Sequence, residues 1–167
     1  MILSKSGSPD VFVCNADGSG LKDLTPTPVD ESSPCWSPDG QWICFATKSR
    51  GRRILRKVPA SGGPERPVST AGVSSPSEPS WSPDGKWIAF TAQMGNFEIC
   101  VVPAEGGQAT VLVDGEDPSW APNSRTLIYT RRVGESRRLS LLDVPTKQVK
   151  DIARVRSGNN SQPSWAR

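Results

Sequence analysis

The chain has 167 residues, 35% of them hydrophobic and 22% charged, with a formal net charge of +3. This suits one globular domain with a buried core and excludes a disordered or collagen-like chain. A charge of that size does not by itself argue for nucleic acid, and no apolar run approaches the roughly 20 residues of a membrane-spanning helix. The sequence holds no histidine. That excludes a Ser-His-Asp triad, a Cys-His pair and a His metal ligand within these residues, and removes the usual general base near neutral pH.

The first five residues, Met-Ile-Leu-Ser-Lys, lack the apolar core of a secretory signal, so the compartment stays open. Residues 2–4 read as the end of a strand, 11–15 as another and 21–25 as a third, with a turn at Asp17-Gly18-Ser19-Gly20. A second unit opens with Pro34-Cys35-Trp36 and turns at Ser37-Pro38-Asp39-Gly40. It continues through 41–47 and 54–58, turns at Ser61-Gly62-Gly63 and ends near 67–70. The third unit is the cleanest: strands at 78–82, 86–92, 97–102 and 109–113, with turns at Pro83-Asp84-Gly85 and 103–107. In these turns Pro fixes φ, Asp bonds the nearby backbone and Gly supplies positive φ. The fourth unit runs from Pro118-Ser119-Trp120 through 126–130 and 139–143 to 149–153. Gln162-Pro163-Ser164-Trp165 is then a first strand without a second.

Trp36, Trp81, Trp120 and Trp165 recur at intervals of 45, 39 and 45 residues. Four short strands in about forty residues are one blade of a β-propeller. The expected fold is all-β: a single propeller domain over 1–167 with four blade equivalents of four antiparallel strands. Blade 1 comprises 161–167 plus 1–25, blade 2 about 33–70, blade 3 about 78–113 and blade 4 about 117–153. The ring is expected to close by pairing the C-terminal strand with the N-terminal blade, which leaves no open edge at the seam. A closed monomer is the expectation, and a larger ring formed by two chains is the alternative.

The string at 6–20, Ser-Gly-Ser-Pro-Asp-Val-Phe-Val-Cys-Asn-Ala-Asp-Gly-Ser-Gly, resembles the TolB-type propeller repeat, as do 34–47 and 79–92. The resemblance covers nearly the whole chain. It implies a β-propeller that binds proteins or other ligands around its central channel, and it points to a periplasmic relative. TolB-like repeats also occur in the gating propellers of prolyl oligopeptidase-type peptidases. The Gly-x-Ser-x-Gly elbow of their hydrolase domain does not occur in these residues.

Innermost strands line the channel of a propeller, so the residues three before each Trp should ring its mouth. They are Ser33, Glu78, Asp117 and Gln162, the candidate ligand-binding set, with Glu31 and Glu116 close by. Such a ring suits a polar or cationic ligand; a solvated rim is the plainer alternative. Basic clusters flank it: Lys48, Arg50, Arg52 and Arg53 in one blade, Arg131, Arg132, Arg137 and Arg138 in another. Arg50, Arg53, Arg132 and Arg138 are the candidate partner-binding rim, against solvated loops. No exposed aromatics are interleaved with these arginines, so nucleic acid fits poorly.

Asp39 and Asp84 are expected to hold turns and not to catalyse. Trp36, Trp81, Trp120 and Trp165 should pack between blades, and Trp42 and Trp87 should be second-strand core. Cys14, Cys35, Cys44 and Cys100 contain no CxxC pair, so neither a metal nor any other cofactor is expected. Cys14, Cys44 and Cys100 lie in apolar runs and read as buried thiols. The expected function is non-catalytic binding of a protein partner, without membrane insertion. The alternatives are a fragment or gating domain of a larger enzyme, or half of a two-chain ring.

Overall fold

The computed structural model describes residues 1–4, 7–152 and 160–165. Among them every regular element is a β-strand. Strands β1 (Ile2–Ser4), β2 (Pro9–Val13) and β3 (Lys22–Asp23) form a three-stranded antiparallel sheet. Strands β4 (Glu31–Trp36), β5 (Trp42–Ser49), β6 (Arg52–Pro59) and β7 (Arg66–Val68) form the next sheet in that order. A short strand β8 (Thr70–Ala71) follows it. The third sheet takes β9 (Ser77–Trp81), β10 (Trp87–Gln93) and β11 (Phe97–Pro103) in order. After β12 (Gly107–Gln108) it is completed by β13 (Thr110–Asp114). The fourth consists of β14 (Glu116–Trp120), β15 (Thr126–Val133), β16 (Ser136–Asp143) and β17 (Gln148–Asp151). Strands β8 and β12 pair in parallel and tie the outside of the second sheet to the third.

The repeated turn is held by one network. Asp39 Oδ1 accepts from the Ser37 hydroxyl and from the backbone N–H of Gln41, while Ser37 Oγ accepts from Trp42 N–H at 2.9 Å. Asp84, Ser82, Lys86 and Trp87 reproduce it bond for bond. In both turns the serine hydroxyl is the first reason the aspartate pKa is lowered. Gly40 and Gly85 supply φ of 70° and 77°. The fourth sheet keeps the turn with other residues: Asn123 Oδ1 accepts from Arg125 and Thr126 N–H, and Ser124 takes φ 53°. The turn role expected for Asp39 and Asp84 is thus what the structure shows.

Each innermost strand carries the same irregularity. Registers shift between Ser32 and Cys35 on β4, between Ser77 and Ser80 on β9, and between Glu116 and Ser119 on β14. One extra residue bulges out of the ladder each time, which bends the strand. Ser33, Glu78 and Asp117 sit in these bulges at φ 52°, 52° and 57°.

The cores lie between successive sheets. Val11 and Leu24 pack with Ile43, Phe45 and Val58. Cys44, Ala46 and Leu55 pack with Ile88, Phe90 and Val102. Ala89, Ile99 and Val101 pack with Trp120, Leu127, Tyr129 and Leu142. Burying a face of each twisted sheet against its neighbour is how a propeller obtains its core. Trp81 and Trp120 are buried as expected, but Trp36 is 49% exposed and Trp87 40% exposed. Trp120 covers the inner strand before it, donating from Nε1 to Ser80 O. Trp36 has no such inner strand beside it among the described residues. Trp87 begins its strand opposite Pro103 at the solvent end of the sheet. Cys14 is half-buried because it follows the last residue of β2, whereas Cys44 and Cys100 are buried.

The expected ring closure places Ala166 and Arg167 at the seam, and blade 4 was expected to reach Ala153; all three lie outside the described residues. Residues 162–165 lie along β14: Gln162 N–H donates to Asp117 Oδ2 at 3.1 Å and Trp165 Nε1 to Ser119 O at 3.2 Å.

Candidate functional site

The four residues chosen from the sequence share one backbone state. Gln162 also has φ 52°, matching Ser33, Glu78 and Asp117. The left-handed region disfavours any residue with a Cβ, so the shape of the inner strand imposes this conformation four times. The structure also joins three of the four. Asp117 N–H donates to Glu78 Oε2 at 3.1 Å, and Gln162 N–H to Asp117 Oδ2. Each carboxylate therefore satisfies the backbone of the next bulge. Thr91 Oγ1 donates to Glu78 at 2.6 Å, and Thr130 Oγ1 reaches Asp117 at 3.4 Å. Burial is the first reason the Glu78 carboxyl pKa is raised, and the charge of Asp117 adds to it.

Ser33 carries no carboxylate. In its blade Glu31, two residues earlier, is 3% exposed and accepts from Thr47 Oγ1 at 3.0 Å and Thr25 Oγ1 at 3.1 Å. Thr25 Oγ1 in turn accepts from Val11 N–H, so Glu31 ties β2 to β4 and β5. Burial pushes its carboxyl up to about 7; the two threonine hydroxyls oppose this, and the charges of Asp10 and Glu65 reinforce it. The sequence signal for Glu31 was weak, since it stands outside the repeated register. Its only clue was a carboxylate beside the one inner strand whose ring residue is serine.

The arginine rim divides. Lys48 to Arg53, the tip of the β5–β6 hairpin, is exposed throughout, with Arg50 at φ 51°. On the β15–β16 hairpin Arg132 donates to Gly134 O, Arg131 lies 3.6 Å from Asp151, and Arg137 lies 3.1 Å from Glu116. Arg138 is exposed. Arg50 and Arg53 belong to one hairpin, Arg132 and Arg138 to another, so the structure presents two rims flanking the β10–β11 tip.

A recess of about 480 Å³ lies against the repeated turns, lined by Trp81, Trp120 and Trp165 with Pro38, Pro83 and Pro122. The indole N–H groups are already committed: Trp81 to Gly85 O, Trp120 to Ser80 O and Trp165 to Ser119 O. The recess therefore offers apolar walls without indole donors. Nearby, Lys57 is buried between Trp42 and Trp81, 5.3 and 5.7 Å from their ring centres, and donates to Ala104 O and Glu105. It clasps the second blade to the third. Among the described residues no cluster of three or more Cys, Asp and Glu is placed to hold a metal ion.

A profile of the TolB β-propeller domain matches residues 1–167. The chain belongs to the TolB β-propeller family. TolB from Acinetobacter baumannii superposes with a TM-score of 0.80 at 24% identity, over 93% of this chain and 40% of that one. A TolB-type protein from Agrobacterium tumefaciens gives 0.76 at 21%, over 87% and 53%. The β-propeller domain of the Trilobed protease from Pyrococcus furiosus, described as having an open velcro topology, gives 0.58 at 17%, over 77% and 44%. The chain thus spans about half the length of these relatives. At these identities the likeness shows the fold, which also occurs as a domain of a protease.

Proposed function

We propose that this TolB-type propeller is a non-catalytic scaffold that binds a protein or other ligand around the mouth of its channel. One observation supports this reading above the others: a single strained backbone state carries four different polar side chains, at Ser33, Glu78, Asp117 and Gln162. If only the bend mattered, glycine would serve at lower cost. A side chain held in that region costs on the order of 1 kcal/mol and persists where it is used. The loops bearing these residues share an end of the blades with the variable hairpins, as binding loops on a rigid repeat do. A scaffold without histidine also lacks the usual proton shuttle.

The test is selection of peptides from a display library on the whole chain, followed by affinity measurements on the double variant Glu78→Gln, Asp117→Asn. These changes remove charge and keep acceptor oxygens for the backbone. Loss of affinity of about tenfold, with a melting temperature lowered by no more than a few degrees, supports the reading. Unchanged affinity overturns it.

A second reading concerns completeness of the ring. Trp165 stands to Ser119 as Trp120 stands to Ser80, so residues 162–165 act as the inner strand of a further blade. Its remaining strands would come from residues 1–25 in a closed four-bladed ring, from a second copy, or from further blades of a larger propeller. The spans of 40% and 53% of the TolB chains favour a sector of a larger ring. Such a sector could equally serve as part of a peptidase propeller. Native mass spectrometry separates one-chain from two-chain assemblies.

A further inference from the structure

The charge of this chain is strongly segregated. Of its 20 Lys and Arg and 17 Asp and Glu, eight cations and one carboxylate fall within 48–53 and 131–138. Those fourteen residues carry +7, and the rest of the chain carries −4. The two stretches are equivalent hairpin tips, joining β5 to β6 and β15 to β16.

Within each tip the cations face one another across the ladder. Lys48 is paired with Arg53, Arg131 with Arg138, and Arg132 with Arg137. Like charges directly opposed destabilise a strand pair. Lys48, Arg50, Arg52 and Arg53 make no ion pair among the described residues. The hairpin between them, β10 to β11, carries no charge from 93 to 97 and exposes Met94 at 41% and Phe97 at 45%. Beside Phe97 lies a recess of about 420 Å³, lined also by Arg132, Arg137, Thr130, Asp114 and Glu116. Glu116 is already engaged by Arg137.

We infer that these three hairpin tips form a docking surface for an acidic protein segment carrying an aromatic or large aliphatic residue. The side chain would seat beside Phe97, and the carboxylates on either side would meet the two arginine tips. Seven of the eight cations are arginine, whose planar fork pairs with carboxylates through two bonds. The recess is concave and sized for one or two side chains, which fits a protein segment better than a flat bilayer. A bound anion would also relieve the repulsion between Lys48 and Arg53, whereas in the other tip Arg131 and Arg137 already face Asp151 and Glu116. This inference rests on reading that end of the blades as the binding face, and it does not need Glu78 or Asp117.

The probe is a synthetic peptide of alternating Glu and Ser with one central Phe, measured by fluorescence anisotropy on the full chain. Its controls are the Lys counterpart, phosphatidylglycerol vesicles and a DNA duplex. The variants are Arg53→Glu and Arg138→Glu, which place opposite charges across from Lys48 and Arg131. The expected result is loss of peptide affinity by at least about tenfold in the double variant, with a melting temperature at or above that of the parent. Arg53→Gln with Arg138→Gln should give an intermediate loss. Affinity that ignores these substitutions overturns the inference, as does tighter binding to vesicles or DNA than to the peptide. Glu78→Gln with Asp117→Asn should leave this peptide bound; loss with that pair alone would sink the tip surface and leave the channel-mouth reading standing.

Discussion

The backbone N–H of Asp117 donates to the carboxylate of Glu78, one blade earlier, at 3.1 Å. The bond fastens one inner strand to the next at the point where each bulges. Removing the carboxylate takes the acceptor from the Thr91 hydroxyl and leaves the Asp117 N–H with Thr91 Oγ1 alone, at 3.1 Å, which costs on the order of 2 kcal/mol. Glu78→Ala should therefore destabilise the chain by about 2 kcal/mol in urea unfolding, and Glu78→Gln by under about 1 kcal/mol. Equal losses for the two would mean that charge, and not the acceptor, holds the joint.

Glu31 makes stability depend on pH in the direction opposite to that of an ion-paired carboxylate. Its carboxyl titrates at about 7 in the folded chain, against a reference value of 4.5. The folded state therefore binds the proton more tightly. Its contribution is full below about pH 4.5 and is lost as pH rises through about 7. The span corresponds to at most about 3 kcal/mol. Burial is the main cause of that rise, and the charges of Asp10 and Glu65 contribute to it. Glu31→Gln should unfold with a flatter pH profile, relatively more stable than the parent at about pH 8. Parallel profiles for the two proteins would contradict a carboxyl buried in this way.

The β4–β5 register sets Cys35 directly opposite Cys44. Opposed residues in such a ladder stand about 4.5–5.5 Å apart at Cα, within the reach of a disulfide. The Cys44 thiol is held protonated, first by its hydrogen bond with Cys35 and then by burial. Exchange with an oxidised low-molecular-weight dithiol should begin at the more accessible Cys35 and release the dithiol in reduced form. Peptide mapping after this treatment should show Cys35 joined to Cys44, with two hydrogens lost. A Cys44–Cys100 link would mean that the register is wrong.

Lys57 offers a test of the clasp between blades. Its ammonium is enclosed by Trp42, Trp81, Ala104 O and Glu105. Lys57→Ala removes packing and two donors and should cost about 3 kcal/mol. Lys57→Met keeps the stem against the indoles and should recover roughly half of that. Full recovery by Met would show that the charge contributes nothing.

The sequence made the blades legible because turn chemistry is local. Pro, Asp and Gly at 38–40 and 83–85 determine their own conformation and so reveal the strand ends. It also located Ser33, Glu78, Asp117 and Gln162, because a repeated offset from Trp marks equivalent positions. Their left-handed backbone was not legible, since none of the four is glycine. Nor was the exposure of Trp36, because a repeat identifies equivalent positions without saying whether a neighbour covers them. Glu31 stays hidden for the same reason: its burial arises from Thr25 and Thr47 arriving from other strands. The opposed charges of Lys48 and Arg53 needed the ladder register, which composition does not contain.

The two ends of the blades make rival claims, and hydrogen–deuterium exchange with a display-selected peptide decides between them. The channel-mouth reading predicts slowed exchange at 31–33, 78 and 116–117. Protection confined to the turns at 37–40 and 82–85 and to Trp120 would place the partner in the indole recess and contradict it.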